Sequence, residues 1–246
     1  MSTPIQAVVL AGGKGTRLAP LTDNLPKPLV PVLGRAMILY VLEHLRDAGI
    51  TRVALSVAHL GHMIEEALGD GAALGMQLSY LHEPEPMGTG GWTKLIDWDD
   101  LADDFMVLNA DNLFWIDVPA FLARHKETGA AATIAAIGIP SETAINYELL
   151  APNGDHTRLV SYVDRKDAEP LRALADTVYV SSGWYVMTKR VRDVVPDAMP
   201  ISNETHVWPA LSASGLPLGF YAATEPWFDS GTHERLARVE DYLRKR

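Results

Sequence analysis

The chain contains no cysteine, which excludes disulfides, thiolate nucleophiles and cysteine-ligated zinc and fits a reducing, cytoplasmic setting. No apolar run approaches the ~20 residues that a membrane-spanning helix needs, so no membrane association is expected. The N-terminal MSTPIQAVVLAGG carries no basic leader ahead of a long apolar core, and no signal peptide is expected. Positive charge is also scarce: 21 Lys and Arg stand against 31 Asp and Glu, for a formal net charge of −10. General binders of nucleic acid or anionic membrane need the opposite balance, so neither is an expected partner. Internal repeats and low-complexity linkers are lacking too. What remains is a 246-residue chain with 48% hydrophobic and 21% charged residues, the composition of an ordinary soluble globule. A single domain over 1–246 is expected.

Apolar periodicity gives the organisation. The run 5–10 ends in glycine and predicts a buried strand. Apolar residues at helical spacing predict a helix over 37–48, stopped by Gly49. Strands are predicted at 51–59, 76–83, 103–114 and 130–139, with helices at 62–71 and 119–129 and a glycine-led helical turn at 88–98. Such alternation implies βαβ units. The later part is less regular. A hairpin is predicted around Asn153-Gly154, a strand pair or bent strand at 176–188, strand-like sequence at 216–229, and a closing helix at 232–246. Leu236, Val239 and Leu243 lie on one face of that helix and are expected to pack on the chain's own core. The fold class is therefore α/β: a Rossmann-like, doubly wound, mixed but mostly parallel sheet in a nucleotide-type half (1–140), with a smaller antiparallel half (141–246).

Ligands of open parallel sheets lie beyond the carboxyl ends of the strands. Three unusual features fall there: the glycine loop after Leu10, Glu83, and Asp111. The loop reads Gly12-Gly13-Lys14-Gly15-Thr16-Arg17. With so few side chains in the way, its backbone N–H groups can approach an anion closely. It is not a Walker A loop, and the dinucleotide pattern G-x-G-x-x-G fails at Leu18. Arg17 and Lys27 would add a planar fork and a mobile point charge for phosphate oxygens. Asp111 and Asp229 each end a predicted strand, where an aspartate reads as a candidate oxygen ligand or as a turn or cap residue. Asn112 and Asp117 rank below them.

The stretch LAGGKGTRLAPLTDNLPKPLVPVLGRAMI (10–38) resembles the signature of the sugar-1-phosphate nucleotidyltransferases, the nucleotide-sugar pyrophosphorylases. The resemblance continues in MGTGG (87–91), VLNADNLF (107–114), SSGWYV (181–186), NETHVWPAL (203–211) and WFDSGTHERL (227–236). It implies a Rossmann-like nucleotidyltransferase fold and Mg²⁺-assisted attack of a sugar 1-phosphate on the α-phosphorus of an NTP, with release of pyrophosphate. It implies Arg17, Lys27, Asp111 and Asp229 as catalytic residues, the two aspartates holding the metal. The nucleotide would be bound by Leu10, Ala11, Gly12, Gly13, Gly15, Thr16, Glu83, Gly88, Thr89 and Asn109. The glycines of the 88–91 turn would admit a flat base, and the Glu83 carboxylate favours guanine, with uridylyl or thymidylyl transfer as the alternative.

The sugar phosphate would meet Gly183, Glu204 and either Arg165 or Lys166, with Arg165 preferred on register. Trp92, Trp115 and Trp184 read as core or as stacking platforms. Departures from the family pattern gather on the acceptor side: Asp164-Arg165-Lys166 for E-K-P, Ser182 for Asn and His206 for Asp. They imply an acceptor other than common glucose 1-phosphate. A catalytically silent, nucleotide-sugar-binding relative would be expected to lose one of the four catalytic residues, and all are present. A nicotinamide dehydrogenase would need the missing third glycine and an acidic residue after the second strand. No left-handed β-helix domain is expected. Either a monomer or a homodimer fits the sequence.

Overall fold

A computed structural model describes residues 3–246. Strand β1 (Ile5–Leu10) is followed by the glycine loop, the ribbon β2 (Pro31–Val32) and β3 (Arg35–Ala36), and helix α1 (Met37–Asp47). Then come β4 (Arg52–Val57), α2 (Gly61–Leu68), β5 (Gln77–His82), β6 (Leu101–Asn109), β7 (Asn112–Phe114), α3 (Val118–Thr128) and β8 (Ala132–Pro140). The remainder holds β9 (Leu149–Pro152), β10 (Leu159–Val163), α4 (Glu169–Leu174), β11 (Thr177–Thr188), α5 (Trp208–Ala213), β12 (Leu218–Ala223), β13 (Trp227–Asp229) and α6 (His233–Lys245).

One nine-stranded sheet joins nearly everything, in the order β10-β9-β11-β6-β1-β4-β5, with β8 beside β11 and β12 beside β8. β6, β1, β4 and β5 run parallel, and β11 turns the sheet antiparallel at its edge with β6. The chain leaves β1 for β4 on one side and later returns to β6 on the other. The carboxyl end of β1 is therefore the topological switch point, where a crevice must open. The glycine loop occupies that point.

β1 is buried on both faces, as its unbroken apolar run requires. Ala7 and Val9 enter a core shared with Ile38, Val41, Leu42 and Leu45 of α1. Val8 enters the opposite core with Trp92, Phe105, Trp208 and Phe220. Trp92 and Trp184 are fully buried, and Trp115 packs edge-on against Phe228. All three tryptophans are packing residues here.

Several expectations are refined. The stretch 103–114 is two strands, broken at Ala110-Asp111, so Asp111 sits in a turn rather than on a strand. The stretch 88–98 makes only one tight turn, Gly91–Lys94. The 176–188 stretch is one strand bent at Gly183, where its register against β8 shifts. α6 packs Leu236 and Val239, with Leu243 alongside, on Val30, Val32, Met37 and Leu113. Asp117 is the N-cap of α3 and accepts from the Ala120 N–H at 2.9 Å. Asp117→Ala should cost about 1 kcal/mol of stability through that orphaned helix donor. A urea melt with unchanged stability would contradict it.

Candidate active site

The carboxyl ends of β1, β5 and β6 face one cleft of about 330 Å³. Ten of the residues expected to bind or act line it: Leu10, Ala11, Gly12, Gly13, Lys27, Glu83, Gly88, Thr89, Asn109 and Asp111. Pro28, Pro86 and Ala110 complete the wall. A second lobe of about 250 Å³ adds Lys14, Ala58 and His59 around the shared Gly12 and Glu83.

Lys27 opens a one-turn helix between Pro26 and Pro28 and is buried, with 6% exposure. Its ammonium is ion-paired to the Asp111 carboxylate. The pair sets a buried cation and a half-buried anion on the floor of the cleft. Removing either partner leaves the other desolvated without compensation.

Asp229 ends β13, which pairs with β7 so that Asp229 stands opposite Asn112. The next residue, Ser230, donates to the Asp111 carbonyl through its N–H (3.3 Å) and its hydroxyl (2.6 Å). The two aspartates, distant in sequence, therefore sit on adjoining segments. Asp229 accepts from the Gly231 N–H at 2.7 Å and is ion-paired to Arg235. The N-cap of α6 is Thr232, not Asp229. Arg17 is exposed, and its guanidinium lies over Gly231, where an added Cβ would sit 3.0 Å from Nη2. It thus approaches the Asp229 loop from the glycine-loop side.

Two carboxylates on adjoining segments are the hard oxygen donors that Mg²⁺ takes alongside phosphate oxygens and water. Among the described residues no group of three or more acidic or histidine side chains could hold a metal. A cation at Asp111 and Asp229 would therefore draw its other ligands from substrate and solvent. The donor chemistry fits that group.

Glu83 follows β5 at the cleft wall. Its carboxylate accepts from the buried Ser56 hydroxyl at 2.7 Å and from the Met87 N–H at 3.0 Å. Each oxygen keeps a lone pair for a further donor. Ser56 escaped the sequence reading of the site. Its signal was a lone hydroxyl inside the otherwise apolar run VALSV.

The 87–91 turn has a second tie. Its Gly90 N–H donates to the Ile201 carbonyl (2.8 Å), and Ile201 N–H donates back to Met87 (2.9 Å). A Cβ on Gly88, where φ is +83°, would come within 2.3 Å of the Ile201 carbonyl oxygen. Gly88 is thus required by this close approach as well as lining the cleft. Thr89 donates from its hydroxyl to Glu204 (2.8 Å), which also accepts from Ser202 (2.8 Å) and from the Tyr185 hydroxyl (3.3 Å). Burial, then the Glu204 carboxylate, pushes the Tyr185 phenol far above its ordinary range, so it remains a donor. Glu204 is therefore tied to the nucleotide-side turn.

Gly183 lies at the bend of β11 against the side chains of Asn109 and Asn112. Gly15 and Thr16 lie beside the cleft rather than on its lining, and the Thr22 hydroxyl donates to the Gly15 carbonyl (2.9 Å). Arg165 and Lys166 sit on an exposed turn after β10 that Asp164 caps. The structure does not bring either into the cleft. His206 accepts from the Ser202 N–H at 2.9 Å and is exposed.

The family model described as nucleotidyl transferase matches residues 6–246. The chain is 33% identical over 235 residues to mannose-1-phosphate guanylyltransferase of Mycobacterium tuberculosis, covering 95% of this chain and 63% of that protein. It is 30% identical over 251 residues to UTP–glucose-1-phosphate uridylyltransferase of Synechocystis, covering 97% and 61%. It thus spans about three fifths of the length of these curated relatives. A crystal structure of HddC from Yersinia pseudotuberculosis complexed with GMP-PN shares the fold, with a TM-score of 0.80, 22% identity, and coverage of 97% of this chain and 99% of that one. With that match across nearly its whole length and these relatives, the chain belongs to the nucleotidyl transferase family.

Proposed function

We propose that the protein transfers a nucleoside monophosphate from an NTP to a sugar 1-phosphate, releasing an NDP-sugar and pyrophosphate. The observation that carries this reading is the Lys27–Asp111 pair on the floor of a cleft whose wall is a glycine-rich loop at the sheet's switch point. Phosphoryl transfer between polyanions needs positioning and charge neutralisation above all. An oxygen of the sugar phosphate attacks the α-phosphorus, and the bond from that phosphorus to the bridging oxygen of the β-phosphate breaks. No protein nucleophile is needed, and the attacking phosphate is already ionised at neutral pH. Lys27 neutralises charge at the α-phosphate. The loop N–H groups and Arg17 hold the triphosphate and the departing pyrophosphate. Mg²⁺, when bound, supplies Lewis-acid neutralisation of phosphate oxygens, and Asp111 and Asp229 would hold it.

We assign GTP as the preferred donor. A carboxylate held as Glu83 is can accept from both guanine edge donors and repels the carbonyl edges of uracil and thymine. The guanylyltransferase name of the Mycobacterium relative supports this choice, while the Synechocystis relative keeps UTP as the alternative to test. The departures from the family pattern at 182 and 206 support an acceptor other than glucose 1-phosphate. This reading places the enzyme in the cytoplasm, where nucleoside triphosphates are held.

Pyrophosphate release, measured with each NTP against a panel of sugar 1-phosphates with and without Mg²⁺, tests the whole reading. Turnover should require Mg²⁺ and be fastest with GTP. Silence with every pair would favour a catalytically inactive nucleotide-sugar-binding protein. Glucose 1-phosphate as the best acceptor by far would remove the acceptor assignment. Glu83→Gln keeps an acceptor for Ser56 but loses the charge, and should cut the GTP-to-UTP ratio of kcat/KM about tenfold. An unchanged ratio would move the base contact elsewhere.

A further inference from the structure

A hollow of about 100 Å³ opens beside Asp229, and it shares no lining residue with the main cleft. Tyr147, Trp227 and Phe228 supply apolar walls, and Asp229, Arg235 and Arg238 supply charge. The Arg235 guanidinium lies 5.1 Å over the Tyr147 ring and is ion-paired to Asp229. Tyr147 packs against Trp227 with ring centroids 6.2 Å apart, and Trp227 is anchored by its Nε1–H to the Ser182 carbonyl at 3.0 Å. Arg235 is thereby held by an aromatic face and a carboxylate, so little freedom is lost when it takes another partner.

The charge here is unbalanced. Two guanidinium groups, Arg235 and Arg238, line the hollow against the single carboxylate of Asp229. Arg238 also donates to Glu234 at 2.7 Å, but that pair is mostly exposed, with side chains 70% and 76% accessible, and contributes little. Such a cationic surplus is conspicuous on a chain of net charge −10. The walls come from the segment after β8, from β13 and from α6, all in the half expected to receive the acceptor. The hollow is large enough for one small anionic group rather than a nucleotide.

We propose that this hollow receives a second anionic group, a carboxylate or a phosphate, carried by the acceptor in addition to its 1-phosphate. Arg238 and Arg235 would select for that group, the planar guanidinium matching a carboxylate or phosphate in bidentate fashion. The inference rests on the transferase reading above and names the acceptor class: sugar 1-phosphates that carry a further negative charge.

The test compares matched acceptors on the full chain: glucose 1-phosphate with glucuronic acid 1-phosphate, and mannose 1-phosphate with mannose 1,6-bisphosphate. In at least one pair the more anionic member should be favoured by about tenfold or more in kcat/KM. Arg238→Gln, a change at an exposed side chain, should collapse that ratio toward one through the anionic acceptor's KM. Equal use of both members of both pairs by the unmodified protein would overturn the proposal. So would an Arg238→Gln variant that raises KM for the NTP but keeps the acceptor preference, which would give the hollow to the triphosphate. If no acceptor is turned over, the transferase reading fails by itself, and calorimetric titration of the same four acceptors decides this proposal. A binding preference for the anionic members that Arg238→Gln removes supports it, and none overturns it.

Discussion

Asp111→Asn is expected to lower kcat by roughly a thousandfold while leaving the fold in place. The replacement is nearly isosteric and keeps an oxygen that can accept from the Lys27 ammonium, so the buried lysine is not stranded. It removes the negative charge that positions Lys27 and that would hold a divalent cation. The aspartate turn itself is secured by backbone, since Ser230 donates to the Asp111 carbonyl and not to its side chain. Thermal melts should show a folded protein with some loss of stability, because the buried Lys27 keeps only a neutral partner, and pyrophosphate release should separate variant and parent far more widely. Asp229→Asn should behave alike, with some loss of stability because Arg235 gives up its ion pair. A loss of less than tenfold for Asp111→Asn in a folded protein would exclude Asp111 from the chemistry.

Gly183→Ala should unfold the protein about 2–4 kcal/mol more easily. The residue has φ +77°, which alanine adopts only with strain, and the new Cβ would stand 2.3 Å from Asn112 Nδ2 and 2.5 Å from Asn109 Nδ2. Asn112 is buried and donates to the Ser182 carbonyl at 2.7 Å. To make room, that amide must move and leave a buried hydrogen bond unmade. The melting temperature should fall by roughly 5–15 °C. Asn109 lines the cleft, so activity measured below the melting point should fall too. Unchanged denaturation would mean that the two asparagines rearrange freely.

What could be read from sequence divides along contact range. β1 and its glycine loop were legible because both signals are local: an unbroken apolar run and an absence of side chains. Asp117 was ambiguous between ligand and cap, since either role suits an acid before a helix, and only the Ala120 contact decides. The glycines of 88–91 read as an opening for a flat base. Gly88 and Gly90 are also constrained by Ile201, more than a hundred residues away, which no local pattern encodes. Arg165 was placed by register against E-K-P, yet the turn that carries it is exposed and outside the cleft. Arg235 and Arg238 went unread because arginine on a terminal amphipathic helix usually marks its solvated face. Their meaning comes from Tyr147 and Asp229, which only the fold brings near.

The grip of residues 201–204 on the 87–91 turn bears on any attempt to transplant specificity between relatives. Backbone bonds between Ile201, Met87 and Gly90, and side-chain bonds among Thr89, Asn203 and Glu204, tie the two stretches into one unit. A graft of 87–91 alone would carry donor-side residues into a socket shaped for another loop, and a graft of 201–204 alone would do the reverse to the acceptor side. The smallest exchangeable module in this protein is the pair of stretches together, so under the proposed transferase reading donor and acceptor preferences should be inherited jointly unless the bonds between them are redesigned.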